Sequence, residues 1–444
     1  MTWIVRGMVW FGLYMFLILL PLATAAIASP SRVSPGLLVE IGVGLGFVGL
    51  ALMCLEFALI SRIKAAAQAF GEDSLQLFHN LMGTVALLLL LAHPILLIVT
   101  GYPANCWLNP FASCANAITR AAALALYALI LLVGLSVWRK KLNIKYELWQ
   151  VTHGLFALFV LIAAMVHINA IGRYTSTPNM RAVWLVYAIL VAGLLLYYKI
   201  LLPILSWNKT WEVVENREER GDARTLLLRP VDHKGYSFEP GQFAWLKTGR
   251  TPVGLGQHPI SMSSPGDVEP GGEVAFTIKN LGDWSGEEVP ALKPGDRIWL
   301  DGPHGVFSMD REQAMGYVFI GGGIGITPLY SMLQTMVDRE DVRPVLLFYG
   351  SEDWEDLTFR EELDELSKQM NLKVIYVLDN PPEGWEGETG YVTADVLRRY
   401  LPKQYKRFIY FICGPDPLMD AMEEVLPQLG VPRENVQTER FAMV

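Results

Sequence analysis

At 444 residues, with 52 % hydrophobic and only 18 % charged side chains, the chain is too apolar for an ordinary soluble enzyme. Its length admits two to four domains, and a net charge of −8 excludes a basic nucleic-acid-binding surface. The charge is unevenly spread: up to Leu205 the chain is nearly free of it between short basic loops, and almost all the acids follow.

Apolar runs long enough to cross a hydrocarbon layer of ~30 Å occur at roughly 8–28, 37–60, 74–100, 118–138, 148–169 and 182–204. They predict six transmembrane helices. Arg6 and the run ending in Ala26-Ile27-Ala28 also resemble a cleavable signal peptide, but the apolar core is long for one, and the first helix is expected to be retained. Arg62, Lys64, Arg139, Lys140, Lys141 and Lys145 crowd alternate connections, whereas Arg32, Arg173 and Arg181 are spread over the others. The positive-inside rule then places both termini in the cytoplasm, in a multi-pass protein of the plasma (inner) membrane. Glu56, near the inner end of the second helix, is expected to meet Arg62 or Lys64. Cys106 and Cys114 share the charge-free loop GYPANCWLNPFASCANA, where a disulfide and two free thiols are both open; Cys54 reads as packing.

The third and fifth runs carry the sharpest pattern. His79 and His93 are fourteen residues apart, as are His153 and His167, and together they are four of the seven histidines in the chain. On a helix, fourteen residues complete nearly four turns and rise about 21 Å, so each pair lies on one face with a histidine towards each side of the bilayer. Side by side, the two helices offer two levels at which a pair of imidazoles can hold a metal: His79 with His153 at the inner level, His93 with His167 at the outer. That arrangement suits two stacked haems, of the non-covalent b type because no Cys-x-x-Cys-His occurs. Phe156 and Phe159 fall between the levels, where ordinary aromatic packing accounts for them.

After Pro203 and Trp207 the texture changes to short strands broken by Gly and Pro, among them WEVVE, RTLLLRP, QFAWLKT, EVAFTIKN and DRIWLDGP, which predict a small antiparallel β-barrel. From about Met315 onwards, strands (GYVFIG, RPVLLFYG, LKVIYVLD, RFIYFICG) alternate with helical stretches, as in a parallel, doubly wound α/β sheet. Gly321-Gly322-Gly323-Ile324-Gly325-Ile326-Thr327-Pro328 follows a strand and opens a helix, where bare backbone and a helix N-terminus suit a pyrophosphate.

These residues, taken together, resemble the NADPH oxidase and ferric reductase superfamily, and the likeness to prokaryotic NADPH oxidases covers nearly the whole chain. His258-Pro259-Ile260-Ser261-Met262-Ser263-Ser264 resembles the family's flavin-binding segment, and Ile278-Lys279-Asn280-Leu281-Gly282-Asp283-Trp284-Ser285 its second flavin motif. Gly321–Pro328 and Cys413-Gly414-Pro415 resemble its nicotinamide-nucleotide motifs, and Glu439-Arg440-Phe441 the tail whose aromatic covers the flavin. The resemblance implies three domains: a bis-haem transmembrane domain (1–206), an FAD-binding β-barrel (207–312) and an NAD(P)H-binding α/β domain (313–444).

It also implies roles. Ser261 would hydrogen-bond the flavin near its reactive nitrogen, and His258 stands where soluble relatives use a phosphate-binding arginine. Pro259, Ile260, Lys279, Asp283 and Trp284 complete the FAD segments, with Gly282 and Ser285 on the pyrophosphate. Gly321, Gly322, Gly323, Gly325, Thr327 and Pro328 would cradle the nucleotide, with Cys413, Gly414 and Pro415 beside the nicotinamide. Phe441 would stack on the flavin, although the sequence departs from the family's pattern by continuing through Ala442-Met443-Val444. At the specificity position the chain reads Tyr349-Gly350-Ser351-Glu352-Asp353, with no arginine before Arg360. Ser351 suits a phosphate and Glu352 the ribose hydroxyls of NADH, so NADPH and NADH both remain candidate donors. The expected activity is electron transfer from cytosolic NAD(P)H through FAD and two haems to O2, giving superoxide. The rival acceptors are a ferric chelate, a quinone or an extracytoplasmic protein; the lipid bilayer is the expected environment, and no obligatory protein partner is implied.

Overall fold

The computed structural model describes residues 3–28, 35–171, 174–249, 251–252 and 256–440. It divides into two compact units, Met1–Leu202 and Pro203–Val444.

The first unit is helical: α1 (Trp3–Ala28), α2 (Leu37–Leu59), the short α3 (Lys64–Phe70), α4 (Glu72–Val99), α5 (Ala104–Leu108), α6 (Ala117–Val137), α7 (Tyr146–Ile171) and α8 (Pro178–Leu196). A π turn, Tyr197–Leu201, carries α8 into a last turn, α9 (Leu202–Leu205). Six of these helical stretches are long and apolar enough to cross a membrane: Val5–Ile27, Leu37–Leu59, Glu72–Val99, Ala117–Val137, Tyr146–Ile171 and Pro178–Leu205. A helix answers all its own backbone hydrogen bonds, which is why apolar runs of this length adopt it in lipid. Polar residues appear where helices begin. Asn116 and Thr119 form a reciprocal capping box on α6, and Thr177 caps α8 just before Pro178.

The most buried of these helices is α2, which packs on α4 and also meets α1 and α8, while α6 packs on α7. The α2–α4 contact depends on missing side chains. A Cβ on Gly49 would lie 2.7 Å from Leu90, and one on Gly46 would lie 3.0 Å from the His93 ring. Small residues at this spacing let two backbones approach closely, the usual basis of helix association where lipid removes the hydrophobic drive. By contrast, the backbones of α4 and α7 scarcely approach each other. In the loop after α4, Cys106 and Cys114 form a disulfide with Cα atoms 5.3 Å apart, which resolves the two alternatives left by the sequence.

The second unit begins with β1 (Thr210–Glu219), β2 (Ala223–Pro230), β3 (Phe243–Lys247), β4 (His258–Ser261) and β5 (Val274–Lys279). A π turn, Trp284–Glu288, leads through α10 (Val289–Ala291) to β6 (Arg297–His304). These strands form one antiparallel sheet in the order β4-β3-β6-β1-β2-β5. The expected barrel is not closed by a ladder: its edges β4 and β5 are joined by a single bridge, Met262 to Phe276. Ser264 takes the next ladder position with its side chain, its hydroxyl accepting from the Ala275 amide at 3.0 Å, so pairing stops there.

The chain continues through β7 (Tyr317–Gly322), α11 (Ile326–Asp338), β8 (Val345–Asp353), α12 (Arg360–Gln369), β9 (Leu372–Asn380) and β10 (Glu388–Thr389). It ends with α13 (Ala394–Tyr400), β11 (Ile409–Cys413), α14 (Asp416–Gln428) and β12 (Val436–Glu439). The sheet order is β10-β9-β8-β7-β11-β12, and every pairing is parallel. Alternation along the central strands feeds two cores. Tyr317, Phe319 and Phe411 pack with α11 and α12, whereas Val318, Ile320 and Ile412 pack with α13 and α14. This two-sided burial is the expected doubly wound sheet.

Two arginines fasten the sheets to each other. Arg339, at the end of α11, donates to Asp267 at 2.6 Å and to Asp310, and Arg220 donates to Glu355 and Glu361 at 2.7 Å. The hydrogen bonds from Arg339 hold the Asp267 carboxyl below its usual range. A carboxyl lowered in this way adds stability above its unfolded pKa and loses it as pH falls through its folded pKa. Arg339→Ala should therefore destabilise the protein by about 1 kcal/mol at neutral pH, since these groups are partly solvated. In denaturant titrations the gap from wild type should persist down to about pH 5 and close below about pH 4; a gap that widens in acid would contradict the assignment.

Candidate functional site

The four membrane histidines come from α4 and α7 and face each other in two pairs. His79 and His153 have ring centroids 6.3 Å apart, and His93 and His167 6.5 Å apart. Two metal–nitrogen bonds of about 2 Å, plus half a ring on each side, give a separation of about this size. In three of the four rings Nδ1 is already engaged: His79 with the Glu56 carboxylate, His153 with Ser136 Oγ at 3.1 Å, and His93 with the Gly42 carbonyl at 2.8 Å. A partner on Nδ1 fixes the tautomer and leaves Nε2 for a metal, the usual division of labour in a ligating histidine. The Ser136 hydroxyl also accepts from Trp149 Nε1, so the inner pair sits in a built network. The expected partnership of Glu56 with Arg62 or Lys64 is not what forms: Glu56 lies inside the bundle and contacts His79, because α2 carries it against α4. Phe156 packs on the core, while Phe159 is 46 % exposed on the outside of the helices.

In the reductase unit the two flavin-type segments meet. The His258 ring lies on Trp284 with centroids 3.9 Å apart and planes 12° apart. Trp284 Nε1 donates to Thr248 Oγ1 at 2.9 Å. Ser285 Oγ accepts from the Leu281 amide at 2.8 Å and donates to the Gly282 carbonyl, which sets the turn that presents Gly282 and Asp283. Along β4, Pro259 and Ile260 pair with Trp245 and Ala244 of β3, and Lys279 closes β5 opposite Ala223. Ser261 is 3 % exposed, yet its hydroxyl has no hydrogen-bond partner among the described residues. A buried polar atom without a partner costs about 1–3 kcal/mol, so an acceptor or donor from a bound molecule fits here. Ser261 fits FAD in this respect, with His258 and Trp284 beside it.

The nucleotide-type motifs also converge. β7 and β11 are neighbours, with Gly321 paired to Cys413, and the strand order reverses between them. Such a switch point leaves a crevice at the carboxyl ends of the strands. A Cβ on Gly325 would lie 2.3 Å from the Cys413 carbonyl oxygen, and one on Gly322 2.9 Å from Pro415, so only glycine allows the two turns to nest. Gly323 has φ +52°, and Gly414 packs on the Gly322 amide. Thr327 Oγ1 donates to the Ile324 carbonyl as α11 starts, with Pro328 in its first turn. Ser351 and Glu352 lie at the end of β8, next to β7, with Glu352 exposed. Arg360 is committed elsewhere, stacking on Trp354 at 4.4 Å and pairing with Glu361. Cys413 is fully buried, and burial together with Glu439 pushes its thiol pKa well up, so it stands as a neutral thiol. Phe441 lies outside the described residues.

Two residues take places in the structure that the sequence did not assign to them. Glu439, across the β11–β12 pair from Cys413, reaches within 3.1 Å of where a Cβ on Gly305 would stand. It thereby spans from the nucleotide sheet to the flavin sheet, where His304 and Ser261 both pair with Phe243. Lys247 buries its amine with no hydrogen-bond partner among the described residues. Its place at the end of an apolar strand reads as a solvated terminus.

Comparison with known proteins agrees with this division. Residues 45–164 match the ferric reductase like transmembrane component, and residues 319–424 match the oxidoreductase NAD-binding domain. A ferric-reductase-like membrane component and an NAD-binding oxidoreductase domain thus stand in one chain. Together the two matches give the domain architecture of the NADPH oxidase / ferric reductase superfamily. The reductase component of propane 2-monooxygenase from Rhodococcus jostii is 33 % identical over 233 residues, covering 50 % of this chain and 60 % of that protein. NADH-cytochrome b5 reductase 2 from Debaryomyces hansenii is 34 % identical over 187 residues, covering 38 % and 62 %. The chain thus spans about three fifths of the length of these curated relatives. Flavohemoglobin from Malassezia yamatoensis, solved with bound FAD and haem, shares 16 % identity at a TM-score of 0.50, covering 90 % of this chain and 96 % of that one, a likeness of fold alone.

Because the Gly325–Cys413 contact leaves no room for a methyl group, Gly325→Ala should force the two turns apart and cost more than about 2 kcal/mol. Thermal denaturation should show this as a clear fall in midpoint, together with weakened nucleotide binding; an unchanged midpoint would refute the nested arrangement.

Proposed function

We propose that the protein carries electrons from cytoplasmic NAD(P)H through FAD and two b-type haems to O2 on the outer side, producing superoxide. The observation that supports this most is the pairing of His79 with His153 and of His93 with His167 at ring separations that suit a shared metal. FAD, when bound, accepts two electrons as hydride and releases them singly, and haem iron takes them one at a time. His79 and His153 would hold the inner haem, and His93 and His167 the outer one. Two histidines holding one haem would leave its iron no open position, so the outer site would suit an acceptor that collects electrons without binding iron.

In the reductase unit, Ser261 would orient the flavin by its hydroxyl. His258, Pro259, Ile260, Lys279, Gly282, Asp283, Trp284 and Ser285 would complete the FAD site. The glycine turn from Gly321 to Pro328, with Gly414 and Pro415, would receive the nucleotide. Cys413, as a neutral thiol, would line the nicotinamide position without adding charge there, and Phe441 would cover the flavin. Ser351 and Glu352, with no arginine beside them, suit either dinucleotide, and relatives named as NADH reductases favour acceptance of NADH. The domain limits that serve this division are 1–206, 207–312 and 313–444.

The basic connections around Arg62–Lys64 and Arg139–Lys145 support a topology with both termini and the reductase unit in the cytoplasm. The disulfide in the loop between α4 and α6 supports the same orientation, since such bonds persist on the oxidising side of a membrane. A ferric chelate is the second reading of the acceptor, favoured by the match to a ferric reductase like component.

Purified protein given NADH or NADPH and FAD should reduce cytochrome c in a way that superoxide dismutase abolishes; strict dependence on an added ferric chelate would favour the second acceptor. His93→Ala or His167→Ala should remove about half of the b-type absorbance while the flavin is still reduced by NAD(P)H, and loss of that half-reaction would contradict the order of carriers. Ser261→Ala should slow flavin reduction by about a hundredfold, the usual loss for one aligned donor; stopped-flow rates equal to wild type would remove Ser261 from the site.

A further inference from the structure

The two histidine pairs differ in what anchors their outer nitrogens. At the inner level the partners are a carboxylate, Glu56, on His79 and a hydroxyl, Ser136, on His153. At the outer level His93 engages the backbone carbonyl of Gly42, a neutral dipole. Glu56 is not a surface group that strays inwards. Its side chain is 12 % exposed, it sits in the last turn of α2, and the helix on which it lies is the most buried of the bundle. Tyr14, whose ring packs on Phe78, shields the same region. The other acid of α2, Glu40, is in the first turn at the opposite end, half-exposed at the mouth of the helix.

We propose that Glu56 is a positioning residue that holds the inner haem at a lower reduction potential than the outer one and so gives electron flow its outward direction. This rests on the bis-haem reading above. Adding one electron to an iron held by two neutral imidazoles lowers the local charge by one; no bond forms or breaks and no proton is exchanged. A carboxylate touching one of those imidazoles stabilises the more positive, oxidised state, and the low dielectric of the bundle interior strengthens that preference. Its contact with Nδ1 also makes the ring a stronger donor to metal through Nε2. A carbonyl dipole does both far more weakly. The inner site therefore gives its electron up readily, and the outer site receives it downhill. Ser136 takes no part in this bias, because a hydroxyl carries no net charge; its contribution is to hold the ring of His153.

The test is an anaerobic spectroelectrochemical titration of the full-length protein in detergent, following the b-type absorption. Wild type should show two one-electron components. Glu56→Gln, which keeps the shape and removes the charge, should raise the potential of the lower component, cutting its oxidised-to-reduced ratio at fixed potential about tenfold, equivalent to about 59 mV, and leave the upper component in place. Glu56→Asp should restore most of the shift, and Ser136→Ala should change either ratio by less than about threefold. A lower component that stays put or moves down in Glu56→Gln overturns the proposal, as does an equal movement of both. A second variant needs no change at Glu56: His93→Ala should retain the lower component, and retention of the upper one overturns the proposal. Failure of the underlying reading looks different, since wild-type protein would then show no dithionite-reduced b-type spectrum at all.

Discussion

An imidazole in hydrocarbon needs a polar partner, and this single requirement organises the membrane unit. Four histidines on α4 and α7 would each be a liability in lipid. They become tolerable because neighbouring helices bring a carboxylate, a hydroxyl and a backbone carbonyl to their Nδ1 atoms. The two helices that bear the rings hardly touch; α2 supports one and α6 the other. Three of the four rings are thus held from behind, which leaves the space between α4 and α7 to whatever the rings are turned towards.

The reductase unit meets an equivalent constraint with backbone instead of side chains. A crevice for a dinucleotide exists only where the strand order reverses, between β7 and β11, and there the two turns pass so closely that Gly322, Gly325 and Gly414 admit no Cβ. The flavin sheet is tied to this crevice by Arg339, Arg220 and the reach of Glu439. The stacked His258–Trp284 pair, the buried Ser261 hydroxyl and the glycine turns therefore occupy fixed places in one compact body.

Much of this was legible in the residues. Six spans could be read because each needs about twenty apolar residues, and their limits moved by only a few positions, as with Pro178 starting the last span. The facing of His79 with His153 followed from the spacing and from the two helices running in the same direction. What the sequence could not yield was anything that depends on which helix lies behind which. Glu56 reads as an interfacial acid until α2 is seen against α4, and the Gly42 carbonyl has no sequence signature at all. Likewise, the strands of the flavin sheet announced themselves by alternation, but the closure of its edges by one bridge depends on a serine hydroxyl substituting for a backbone partner. Glu439 stood in a recognisable tail, whereas its reach towards Gly305 is a property of the folded turn.

The bare face of α2 has a consequence for redesign. That helix holds no imidazole, yet Gly46 lies flush against the His93 ring and the carbonyl of Gly42 steadies it. Moving the His93 ring up or down the bundle would mean relocating those two glycines first, because a methyl on Gly46 would crowd the ring and Gly42 serves it through its carbonyl. The placement of the His93 ring is thus written on a neighbouring helix that carries no imidazole of its own.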